Sequence, residues 1–184
     1  VFYMLLKQNK LSVSLISMIA FLLALDLILV KFSLHGFLAM FSLSFIDRTL
    51  IGTIAGPIFS GVALGFWNIV SFFLSGGKQF IIWFPLVQAV QGFFYGLFFY
   101  KRKLSTSSKK DWLYVTFATL IILGSTTFLL TPIVLHFYYN MPFLTLYTTR
   151  LVKLIEIPIH IIITMLLLPR LQSIKEFQKF LTKR

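Results

Sequence analysis

The sequence contains no cysteine, which excludes disulfides, thiolate metal sites and a thiol nucleophile. Only five acidic residues stand against 17 Lys and Arg. Charged residues of both signs make up 12% of the chain, where a soluble domain carries about a quarter. The three histidines, His35, His136 and His160, lie on separate segments without ligand-type spacing, so no metal site is expected. Ser75-Gly76-Gly77-Lys78 is followed by Gln79 and follows no predicted strand, so it reads as a flexible loop and not as a phosphate cradle. The nucleophile–base or metal constellation that an enzyme needs is missing. No inverted repeat relates the two halves, which counts against a self-sufficient secondary transporter.

What remains is largely hydrophobic: 58% of the 184 residues, with a mean hydropathy of +0.91. The expected class is an all-α integral membrane protein, with length for about six spans and none left for a soluble catalytic domain. The formal net charge of +12 fits cytoplasmic loops and lipid head groups in so apolar a chain better than nucleic acid. Lys7 and Lys10 precede an apolar run, as in a signal peptide. That run is longer than a signal core and ends in no convincing cleavage site, so it reads as a retained first helix.

The most informative stretch is 147–169, the expected sixth helix. Arg150, Lys153, Glu156 and His160 sit there among Leu and Ile. At about 100° per residue the four fall within roughly a third of the helix circumference, and Thr164 extends the stripe. Ionisable groups at membrane depth are costly unless paired or hydrated, so the stripe should face a protein interior or a wet cavity. It reads either as a buried structural pair, Lys153–Glu156, or as an anion-binding wall. In the second case Arg150 and Lys153 meet a carboxylate and Glu156 holds them in place. Pro158 has no N–H for the Leu154 carbonyl, so a bend is expected between the charged segment and the Ile-rich end.

The other helices are expected at 11–30, 41–55, 58–74, 80–100 and 112–136, in a single domain. In the first, Ala20 and Ala24 form a small-residue face and Asp26 points roughly 200–240° away from them. In the second, Asp47 and Arg48 are adjacent, so at least one should find a partner on another helix; packing, coupling and binding all stay open for this pair. Gly56-Pro57 is a turn signal. In the third helix Gly61 and Gly65 form one face, and Asn68, Ser71 and Ser75 another, with Trp67 beside Asn68. In the fourth, Gln88 and Gln91 need hydrogen-bond partners from neighbouring helices or a ligand. Trp83 reads as an interfacial anchor or a ligand cover. Pro132 marks a kink in the fifth. The tail, 172–184, reads as a basic amphipathic helix on the inner leaflet.

Twelve of the 17 Lys and Arg fall on one side if both ends are cytoplasmic, as the positive-inside rule requires. The 31–40, 76–80 and 137–146 loops then lie outside, bringing Lys78, Tyr139 and Asn140 above the charged stripe. Together these features describe a cavity open outward for a small anionic solute.

At this point the chain resembles a substrate-binding (S) component of an energy-coupling factor vitamin importer, in the folate-transporter family. The likeness rests on Ala20-Phe-Leu-Leu-Ala24 with Lys31-Phe32 downstream, Gly56-Pro57 followed by Gly61, Ser75-Gly76-Gly77, Tyr95-Gly96-Leu97-Phe98, and Arg150-Leu-Val-Lys153 leading to Ile157-Pro158. It implies a six-helix S-component bundle in a bacterial plasma membrane, with the vitamin site in the outer half. It implies that Ala20 and Ala24 contact a transmembrane coupling (T) subunit, and that two ABC-type ATPases complete the complex. ATP would be used by those partners, with no cofactor in this chain. Trp67-Asn68 departs from the small residue and Asp that folate-type members usually have, and Trp67 would narrow the pocket. Pantothenate therefore stands beside folate as the candidate vitamin. Another vitamin, or a non-transporting structural subunit, is the alternative.

Ala20→Trp or Ala24→Trp should spare ligand binding by the isolated chain and impair assembly with the coupling subunits. Co-purification tests this; undiminished recovery of the partners would remove the two alanines from the interface.

Overall fold

A computed structural model describes residues 12–33, 44–76 and 80–182. Every regular element among them is helical: α1 (Val13–Ser33), α2 (Phe45–Ala55), α3 (Pro57–Leu74), α4 (Trp83–Phe99), α5 (Lys109–Leu123), α6 (Thr131–Tyr139), α7 (Phe143–Leu151), α8 (Glu156–Gln172) and α9 (Lys175–Thr182). A π-helical stretch, Gly124–Leu130, joins α5 to α6, and a 3-10 turn, Val152–Leu154, follows α7. Lys109–Tyr139 and Pro57–Leu74 are each long and apolar enough to cross a bilayer.

The fifth and sixth expected helices are thus segmented. Ser125 and Thr126 donate their hydroxyls to the Ile121 and Ile122 carbonyls at 2.6 Å each, and such back-bonding loosens a helix locally. Pro132 then has no N–H for the Phe128 carbonyl. Tyr147 Oη from α7 supplies that carbonyl with a donor at 3.2 Å. In the sixth segment the break falls at Val152–Leu154, one turn before Pro158. Pro158 is the third residue of α8, where a missing N–H leaves no helical bond unmade. The bend therefore separates Lys153 from Glu156, earlier than expected, and the charged stripe is carried by two segments.

The centre of the bundle is the packing of α4 on the α2–α3 corner. Gly56 turns that corner at φ 83°, and Pro57 starts α3. Positive φ suits glycine, and Pro suits a first helical position. A Cβ on Gly96 would lie 2.4 Å from Pro57 Cα, and one on Gly92 would lie 2.4 Å from the Ser60 carbonyl oxygen. Ser60 Oγ, fully buried, reaches the Gly92 carbonyl at 2.7 Å. The Gly61–Gly65 face receives α4 through Ala89. Around this contact Ile51, Ile54, Phe99, Val115, Ile122, Met165 and Leu168 form the core. Large apolar side chains such as Val62, Phe66, Leu113 and Phe117 face outward, towards lipid.

The opposite end is tied by the tail. Gln172 donates to the Arg102 carbonyl at 2.6 Å and accepts from the Leu104 N–H at 3.1 Å. Arg102 lies 3.3 Å above the Tyr114 ring and 3.9 Å from Asp111. On α9, Phe177 and Leu181 are buried in the core cluster, so that side of the tail meets protein where a lipid surface was expected. Lys7, Lys10, Lys31 and Lys78, with the loop glycine Gly77, fall where no side chain is described.

Gly96→Ala should cost at least about 1–3 kcal/mol, because the new methyl group meets backbone that cannot swing aside. Gly124→Ala, where a Cβ would meet nothing within 4 Å, should be near neutral. Thermal unfolding in detergent compares them; equal melting temperatures would refute the close approach.

Candidate functional site

Among the cavities lined by described residues, two are large enough for a small solute and carry polar groups. The larger, about 510 Å³, is lined by Thr127 of the π-helical stretch, Thr131 and Leu135 of α6, Met141, Thr145 and Leu146, and the two cations Arg150 and Lys153. The smaller, about 330 Å³, is lined by Asn68, Ser71, Phe72 and Ser75 at the end of α3, by Phe80, Ile81 and Phe84 at the start of α4, and by Tyr139. The stretch from α6 into the following loop contributes to both walls, through Leu135 and Met141 on one side and Tyr139 on the other. His136 holds that stretch: its Nδ1 is 2.8 Å from the Met141 carbonyl oxygen, and its ring stacks on Phe143 with centroids 4.0 Å apart. Asn140 takes the left-handed conformation that ends α6.

The larger cavity has the chemistry of an anion site. Arg150 uses one guanidinium N–H on the Leu146 carbonyl, at 3.1 Å. Lys153 Nζ donates to Glu156 Oε1 at 3.1 Å. Side chains three apart eclipse in a 3-10 turn, so the break in the helix stacks Lys153 over Glu156. The lysine side chain remains 42% exposed while that of Glu156 is 5% exposed. A guanidinium has five donors and an ammonium three, so both groups keep donors for a ligand. Thr127, Thr131 and Thr145 add hydroxyls to the same wall. The smaller cavity instead sets an amide and two serines among aromatic rings, an arrangement suited to a flat polar group.

Behind these cavities lies a buried polar layer. Asp26 Oδ2 accepts from Trp67 Nε1 at 2.7 Å. Arg48 Nη1 donates to Gln91 Oε1 at 2.8 Å. His160 stacks on Phe45, ring centroids 3.8 Å apart. Asp47 is fully enclosed and lies near enough to Asp26 and Arg48 to interact electrostatically with both. Glu156, His160 and Thr164 are buried one turn apart along α8, so the inner half of the expected stripe does face the interior.

The structure thus brings Arg150 and Lys153 together at one cavity, with Glu156 behind them, and Asn68 and Tyr139 together at the other. Trp67, Gln88, Gln91, Trp83 and Asn140 line neither of these two. Trp67 and Gln91 serve instead as hydrogen-bond partners for Asp26 and Arg48. Trp83, the first residue of α4, is half exposed. Lys78 lies outside the described residues. Ala20 and Ala24 are exposed on α1, away from the buried Asp26. Thr127, Thr131, Thr145 and Met141 are cavity residues that sequence reasoning did not select. The four-residue spacing of Thr127 and Thr131, which places both on one helical face, was the signal for two of them.

A family model described as the substrate-specific component of an ECF transporter matches residues 14–168. The folate transporter FolT of Streptococcus mutans serotype c (strain ATCC 700610 / UA159) is 43% identical over 176 residues, covering 94% of this chain and 95% of that protein. A crystal structure of FolT bound with folic acid matches the fold with a TM-score of 0.70 at 26% identity, covering 83% of this chain and 91% of that one.

The Arg48–Gln91 bond should appear as a coupling of about 1.5–3 kcal/mol, the range for hydrogen bonds to charged groups. A double-mutant cycle of Arg48→Met and Gln91→Leu, read by unfolding, measures it. Strictly additive losses would show that the two side chains do not support each other.

Proposed function

The chain belongs to the substrate-specific components of ECF transporters, and from that premise we propose that it captures a folate-type vitamin from outside the cell. The observation that carries this reading is the 510 Å³ cavity that Arg150 and Lys153 share with three threonines. A folate carries carboxylates at one end and a flat, hydrogen-bonding ring at the other. The cations suit the carboxylates, and charge-assisted bonds to them are the strong ones. The Asn68 amide, the Ser71 and Ser75 hydroxyls and the rings of Phe80, Phe84 and Tyr139 suit a flat ring. Glu156 keeps Lys153 in place from the bundle side. The identity to a protein named as a folate transporter favours folate over pantothenate, for which no feature of the site speaks specifically.

In this proposal the chain performs no catalysis and needs no cofactor. It crosses a bacterial plasma membrane several times, with both termini in the cytoplasm. Its Ala20–Ala24 face docks on a transmembrane coupling subunit, where residues without bulk allow helices to approach closely. Two ABC-type ATPases complete the importer and supply the energy. The loaded component topples in the membrane and releases the vitamin inward as the partners hydrolyse ATP.

Arg150→Ala should weaken folic acid binding by at least about tenfold, as expected when a bond between two charged groups is lost. Calorimetric titration of the purified chain tests it, and unaltered affinity would take Arg150 out of the site. Mass spectrometry of small molecules that co-purify with the wild-type chain tests the ligand class; a bound pantothenate would redirect the reading.

A further inference from the structure

Asp26 and Trp67 join two helices to which the proposed function gives different tasks. Asp26 stands on α1 and is 4% exposed. Its Oδ2 accepts from Trp67 Nε1 at 2.7 Å, and its Oδ1 has no hydrogen-bond partner. The carboxylate is therefore anchored through the indole. Trp67 stands on α3 immediately before Asn68, which lines the 330 Å³ cavity with Ser71 and Ser75. Because α3 runs unbroken over Pro57–Leu74, a roll of the cavity wall carries the indole with it. On the other side of α1, Ala20 and Ala24 are exposed. Helix α1 packs chiefly on α2 and touches α3 little, so a short bond to a carboxylate is a large part of what fixes α1 against α3. A buried carboxylate in an apolar bundle has no water to replace a lost donor, which makes such a bond stiff.

We propose that Trp67 and Asp26 form a positioning pair that passes the state of the vitamin cavity to α1, and so sets how the Ala20–Ala24 face meets the coupling subunit. The inference rests on the functional reading above. Neither side chain touches the ligand in it. Loss of the bond should separate capture from delivery.

The test uses Trp67→Phe, which keeps the ring and deletes the N–H, and Asp26→Asn, whose amide oxygen still accepts from Trp67. Folic acid binding is titrated on the purified chain, and folic acid uptake is measured in cells that also supply the coupling subunit and ATPases. Trp67→Phe should bind within about threefold of wild type yet import about tenfold more slowly, the shift that one charge-assisted bond supplies. Asp26→Asn should import near the wild-type rate. The double variant, which leaves no carboxylate at position 26, should regain the wild-type melting temperature and still import slowly. Normal uptake by Trp67→Phe, recovery of uptake along with stability in the double variant, or loss of binding in Trp67→Phe would each overturn the positioning role. A wild-type chain that neither binds nor imports folic acid would overturn the functional reading, and this inference with it.

Discussion

Helix α4 meets the α2–α3 corner backbone to backbone, with no side chain between them at Gly92 and Gly96. Much else in the bundle follows from that contact. It sets the depth of α4, and so brings Gln91 within reach of Arg48 and places Tyr95 in the core. It brings the start of α4 beside the end of α3, where Phe80, Ile81 and Phe84 close a cavity over Asn68 and Ser71. Between membrane helices, lipid is as apolar as leucine, so association relies on close packing and on internal hydrogen bonds. Glycine makes the first possible, and the Ser60–Gly92 bond adds the second.

The larger cavity has a different origin: it lies where two helices lose their regularity. The π-helical stretch Gly124–Leu130 and the 3-10 turn Val152–Leu154 face one another across it, contributing Thr127 and Lys153 respectively. Irregular backbone is tolerated at membrane depth only where it is buried in protein or lines a cavity. Here both conditions are met. Tyr147 serves the Phe128 carbonyl that Pro132 leaves open, and the remaining side of each break borders the void. Pro132 thus bears on the site without lining it.

Much of this was legible in the residues. The apolar stretches, the Gly56-Pro57 corner, the opposition of Asp26 to the Ala20–Ala24 face, and the inward turn of Glu156, His160 and Thr164 all follow from helical periodicity and turn chemistry. The breaks were half legible. Pro158 announced a bend, but a proline near the start of a helix is harmless, so the break falls one turn before it and not at it. The pairing of Trp67 with Asp26 was not legible. The two residues are 41 positions apart, and whether they meet depends on the roll and tilt of α1 against α3, which no local period encodes. The same holds for Arg48 and Gln91, 43 positions apart. A partner on another helix was expected for at least one of Asp47 and Arg48, while which of the two it would serve and its identity required the fold.

That distinction bears on how the polar groups divide their work. Groups that line a void keep spare hydrogen-bonding capacity: Arg150 uses one donor on its own helix and Lys153 one on Glu156. In the layer behind, Trp67 spends its single donor on Asp26, and Arg48 and Gln91 bond across two helices. A ligand competes with water for the first set at little cost, but could engage the second only by breaking bonds that nothing in an apolar interior would replace. The bonded pairs behind the cavities, Trp67–Asp26 and Arg48–Gln91, are therefore better suited to holding helices in register than to binding. Polarity inside a membrane bundle marks a site where donors or acceptors are left over beside empty space, and the cavity wall that carries Arg150 and Lys153 combines the two.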